Sequence, residues 1–75
     1  MDILRVPKHA RNATVARLTL LPALGGRVRA NLKIEGSMSG FMEDRDHETV
    51  AWAEDWAIKG AEQRRASVLI IEDRT

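Results

Sequence analysis

Three patterns in the sequence predict an α+β domain: a mainly antiparallel sheet of three or four strands, with one amphipathic helix across one face. Arg27 to Glu35 alternates without a miss, with Val28, Ala30, Leu32 and Ile34 on one side and charged or amide residues on the other, as a strand with one wet face requires. From Val50 to Ala61, the residues Val50, Trp52, Ala53, Trp56, Ala57, Gly60 and Ala61 fall on one half of a helical wheel, opposite Glu54, Asp55, Lys59 and Glu62. Val68 to Ile71 is apolar on both faces, the pattern of a strand buried on both sides.

In chain order, Asp2 to Val6 reads as a short edge strand or arm that stops at Pro7, because proline lacks a backbone donor and disfavours helix in the residue before it. Lys8 to Asn12 is a polar connection without apolar periodicity. Residues 14–35 read as a hairpin. Its first strand sets Ala16, Leu18 and Leu20 against Arg17 and Thr19, and its turn is Pro22 to Gly26, where two glycines allow positive φ. Gly36 to Gly40 breaks the pattern, and Phe41 and Met42 are expected to fold back over the edge of the core. The helix is predicted over residues 46–65, with Asp46 as N-cap, Glu48 in the first turn and Arg64 and Arg65 at the C-terminal end. The middle of its apolar face is small (Ala53, Ala57, Gly60), so its axis can approach a sheet closely, and both tryptophans are expected to be largely buried along one flank. Ile58 falls on the polar side of the wheel. The last strand is expected over residues 67–73.

The chain has 75 residues, a length that predicts one domain with a thin core, since a chain this short buries only about 60% of the surface its unfolded form exposes. It has no cysteine, which removes disulfides and thiolate chemistry and makes the cytoplasm the expected setting. No apolar run approaches the roughly 18 residues that span a bilayer, so no membrane partner is expected. The basic N-terminal third resembles a transit peptide in composition, but Pro7 and the alternation after it disfavour a targeting helix.

The formal charge is +1, unevenly placed. Residues 1–35 carry seven Lys/Arg against two acids, and residues 36–75 carry five against nine. Opposite charges on two halves of one domain attract each other, and they also leave a basic row, Arg17, Arg27, Arg29 and Lys33, on the exposed face of the hairpin, where it can track a phosphate backbone.

Catalytic constellations are missing from the sequence. His47 and Glu48 begin like a zinc-protease helix motif but lack the second histidine four residues on, and the acidic run Glu43 to Glu48 lacks the alternate-position ligands and central glycine of a calcium loop. Gly36 to Gly40 has Met38 where a nucleophile elbow needs serine. No phosphate loop occurs, because Gly25-Gly26 leads into a strand. No enzymatic activity, metal or cofactor is expected.

The order of strand, strand and helix over residues 14–62, with a tryptophan-bearing acidic helix after a basic hairpin, resembles the arm-binding domains of phage-type integrases, which dock a three-stranded sheet on DNA. With its closing strand Val68 to Ile71, the chain is also similar to short uncharacterised bacterial domains of hairpin, helix and strand. Neither resemblance rests on a motif, and no functional residue is carried over from either.

Two function classes follow. The first is a non-enzymatic protein-interaction module, a small regulator or inhibitor for which a phage-type accessory protein is a fitting description; the alternative is nucleic-acid binding through Arg17, Arg27, Arg29 and Lys33, extended by Arg5, Lys8 and Arg11. A symmetric homodimer is also expected. One helix covers one sheet face, while Val68 to Ile71 offers side chains to both and Val15 and Leu21 point to the second, which makes Leu69, Ile71, Val15 and Leu21 the candidate interface. The alternatives for that face are Ile3, Leu4 and Val6 of the N-terminal arm, or a heterologous partner.

Overall fold

The computed structural model describes residues 1–5, 14–36 and 40–75. The expectations for Val6, Pro7, Lys8, His9 and Arg11, and for Met38 and its two serine neighbours, lie outside the described residues.

Among the described residues five strands form one mixed sheet: β1 (Asp2–Leu4), β2 (Val15–Pro22), β3 (Val28–Glu35), β4 (Gly40–His47) and β5 (Val68–Asp73), in spatial order β1-β5-β2-β3-β4. One helix, α1 (Val50–Gln63), links β4 to β5. The α+β class stands as predicted, while the strand count and part of the pairing differ. The antiparallel ladders β2–β3 and β3–β4 are the longer ones, and β5 pairs in parallel with both β1 and β2. The reason is the crossover. β4 and β5 point the same way, so α1 carries the chain back over β3 and β2 and delivers β5 to the far side of β2, between β2 and β1. An interior strand between two parallel neighbours has no wet face, which is why Val68, Leu69, Ile70 and Ile71 are all buried.

The hairpin forms as its alternation requires, with Leu18 opposite Leu32 and Leu20 opposite Ala30. Gly25 and Gly26 make the turn at φ 72° and 74°, conformations in which a side chain would crowd the following carbonyl. The core beneath the helix holds Ala16, Leu18, Leu20, Val28, Ala30, Leu32, Ile34, Leu69 and Ile71. Against it α1 sets Ala53, Ala57 and Ala61, each fully buried. The close approach read from small residues is present: a Cβ at Gly60 would lie 3.1 Å from Leu32 Cδ2. Ile58, on the polar side of the wheel, packs half-buried against the margin of the same core.

The N-terminal end of the helix corrects the sequence reading. Residues 40–47 form a strand, so the helix begins four residues later than expected, and its N-cap is Thr49. The Thr49 hydroxyl accepts from the Trp52 amide at 3.2 Å, satisfying one of the free donors of the first turn. At the other end, Ala66 N–H donates to the Ala61 carbonyl and Arg65 N–H to that of Glu62, with Arg65 at φ 57°. This Schellman closure turns the chain into β5 within a few residues. Among the described residues no helix is long and apolar enough to cross a membrane.

Candidate functional site

Each strand presents alternate residues to the two sheet faces, so the ladder registers sort the candidate residues. Leu69 pairs with Ala16 and Ile71 with Leu18, which puts both on the helix side at 0% and 1% exposure. A second chain cannot reach them while α1 is in place, and they are not an accessible interface. Val15, Val68 and Ile70 lie on the opposite face, where they form a second cluster with Leu4 packed against it. All three are buried within the single chain, so the premise of an uncovered apolar face does not hold for them; Leu21, on the same face, is half-buried.

Arg17, Arg29 and Lys33 share that opposite face, as expected, but not as a bare basic stripe. β4 lies beside β3 and sets Asp46 directly opposite Arg29, and Asp44 opposite Asn31. Arg29 grips Asp46 through Nε at 2.9 Å, Asn31 donates to Asp44 at 2.6 Å, and Lys33 Nζ pairs with Glu35 at 2.8 Å. These contacts hold the carboxyls of Asp46 and Glu35 below their usual range, through the bonds to Arg29 and Lys33 respectively. Arg27 leaves the row, because it precedes β3 at the turn and lines a different feature.

That feature lies at the start of the helix. A cleft of about 280 Å³ is lined by Arg27, Asp46, His47, Glu48 and Trp52. Trp52 is 68% exposed, which corrects the expectation that both tryptophans are core. The pair separates because the sheet ends at β4. One helical turn further on, Trp56 packs half-buried over β4, its ring centroid 5.1 Å from that of His47 and 5.6 Å from the Arg45 guanidinium carbon. Trp52 stands one turn earlier, beyond the last residue of β4. Farther along the same flank, the Arg64 guanidinium lies 3.6 Å over the Phe41 ring, a stacked cation–π contact.

On the other side of the helix, Arg5 forms a two-pronged ion pair with Glu54, both bonds at 2.9 Å, tying the end of β1 to α1. Among the described residues no cluster of three or more His, Asp and Glu side chains is arranged to hold a metal.

His47 lines the cleft on one side and lies against Trp56 on the other. Its Nε2 is buried with no hydrogen-bond partner among the described residues. Burial first, then the Arg45 and Arg27 cations, push its pKa below the ordinary 6.5, while Asp46 pulls the other way. Because the folded pKa is depressed, the unfolded chain takes up the proton first. The stability associated with neutral His47 is therefore complete above about pH 6.5 and lost as the pH falls through the depressed folded value. Thermal melts should show a decline in stability between pH 7.5 and 5 that His47→Phe, which keeps a ring against Trp56, removes; an undiminished decline in that variant would clear His47. Carboxylates contribute at lower pH, since Asp46, Glu35 and Asp73 all titrate below their usual range.

Sequence reasoning placed Arg17, Arg29 and Lys33 correctly on one face. It missed β4, and with it Asp46, which pairs with Arg29, and the cleft that exposes Trp52. The available signal was the even, six-residue spacing of Phe41 and His47, which puts both on one face of a strand, with charges between them. No protein-family model, no curated protein and no solved structure matches the chain.

Proposed function

We propose that this domain is a non-enzymatic protein-interaction module, a small regulator or accessory protein that presents Trp52 and the adjoining cleft to a protein partner. The observation that carries the reading is the 68% exposure of Trp52 beside a cleft lined by Arg27 and Glu48. A large rigid aromatic next to an arginine is the composition of an interface hot spot, and an indole left in water contributes nothing to the core. The ion pairs of Arg29 and Lys33 with neighbouring carboxylates favour a protein surface over a phosphate backbone as the partner.

The test is capture of a native partner by the immobilised wild-type domain and by Trp52→Ala. The variant should melt within about 0.5 kcal/mol of wild type, as expected for an exposed side chain, and should lose the captured protein. Equal capture by both would overturn the reading. A gel shift on duplex DNA that weakens steeply with salt and disappears in Arg29→Ala/Lys33→Ala would replace it with the nucleic-acid alternative.

A further inference from the structure

We propose that the open edge of β4 receives an extended, basic segment of a protein partner as an added strand. The inference rests on the interaction-module reading above and specifies where the partner lies and what chemistry it brings.

β4 ends the sheet, and among the described residues no strand pairs with its outer side. It is hydrogen-bonded to β3 across register positions Gly40 to His47. In an antiparallel ladder every second residue directs its N–H and C=O away from the partner strand. The outer side of β4 thus offers a regular row of donors and acceptors about 27 Å long, at ~3.4 Å per residue. The opposite edge of the sheet, β1, is only three residues long and offers no comparable template.

The side chains on the two faces of this edge are matched to an added strand. Met42 is 67% exposed on the face away from the helix, and Trp52 is 68% exposed on the helix side beyond His47. An extended segment alongside β4 sends alternate side chains to the two faces, so it meets Met42 on one side and reaches the Trp52 cleft on the other. The cleft and the edge are continuous, because Asp46 and His47 belong to both.

Charge selects the occupant. β4 carries Glu43, Asp44 and Asp46 against Arg45, and Glu48 follows it. Among the described residues, Glu43 and Glu48 take part in no ion pair. Lysine or arginine on the incoming strand relieves this excess, since cross-strand pairs of opposite charge are favourable and like pairs are not. A second copy of β4 is the poorer occupant. Two-fold pairing centred on Glu43, Asp44, Arg45 or Asp46 sets that residue against its own like-charged copy.

The experiment titrates isotope-labelled domain with two eight-residue peptides, one alternating Lys and Val and one alternating Glu and Val, following backbone amides and the Trp52 indole N–H by NMR. The Lys/Val peptide should shift amides of residues 40–47 and the Trp52 indole, and should bind about ten-fold or more tightly than the Glu/Val peptide. Glu43→Lys/Asp44→Lys should reverse that order. Equal affinity for the two peptides, no binding by either, or shifts centred on β1 or the hairpin would overturn the proposal.

Backbone pairing has its own control. Of Asp44→Pro and Arg45→Pro, one removes an outward amide and the other an amide bonded to β3. The variant that keeps the wild-type melting temperature should lose the Lys/Val peptide, and retained binding there would also overturn the proposal; should both unfold, the charge-reversal variant decides alone. A dimeric mass by light scattering without peptide, abolished by the folded proline variant, would assign the edge to a second copy instead. The two readings fail separately: peptide failure with Trp52-dependent capture intact removes the edge and leaves the module, and the converse result removes the module reading and leaves the edge.

Discussion

Leu69→Lys should unfold the domain. Leu69 is fully buried on the interior strand β5, in register with Ile3 on one side and Ala16 on the other, beneath α1. An ammonium at that position loses its water, and the side chains of the core around it are apolar. The desolvation cost of an unpaired charge is several kcal/mol even after the structure relaxes. A domain of this size has a total stability of roughly 4 to 11 kcal/mol, at ~0.05–0.15 per residue. Far-ultraviolet circular dichroism should show the native transition lost or shifted down by tens of degrees, while Leu69→Met, which conserves volume, costs less than about 1.5 kcal/mol. A folded Leu69→Lys variant that differs from wild type only in its oligomeric state would place Leu69 at an interface and contradict the helix-covered core.

Leu18→Ala should cost about 2 to 5 kcal/mol, the range for removing a large aliphatic side chain from a packed site. Leu18 lies opposite Leu32 on β3 and Ile71 on β5, and all three are at most 1% exposed. The upper half of the range is expected, because Ala53, Ala57 and Ala61 hold the helix backbone close to the sheet and leave little room for the cavity to collapse. Urea unfolding measures it: the midpoint should fall with the slope unchanged. A loss below 1 kcal/mol would mean that the helix does not pack as tightly as its small residues allow. Against this, the near-neutral effect of Trp52→Ala separates the two large residue types by position alone.

Much of this fold was legible because the hairpin and the helix bury one face each. Alternation at Val28, Ala30, Leu32 and Ile34 and the clustering of Ala53, Ala57 and Ala61 are direct consequences of that burial, and both periodicities survive in the residue order. β4 was not legible for the complementary reason. At the sheet margin most of its side chains stay in water, and the positions facing the helix are Phe41, Glu43, Arg45 and His47, of which only one is an apolar residue. An edge strand rich in charge protects the protein from uncontrolled pairing and at the same time erases the hydrophobic signal that marks a strand.

The sequence by itself determined the α+β class, the hairpin with its glycine turn, the amphipathic helix with a small-residue face, and the doubly apolar character of Val68 to Ile71, since each depends on neighbours within a few residues. Only the tertiary structure decided where β5 lies, that Leu69 and Ile71 face the helix, that Trp56 covers the sheet margin while Trp52 stands in solvent, and that Arg29 meets Asp46. Those outcomes turn on contacts between residues far apart in the chain, set by the insertion of β5 between β1 and β2 and by the placement of β4 beside β3. Local periodicity records which face of an element is buried; it carries no record of which element does the burying.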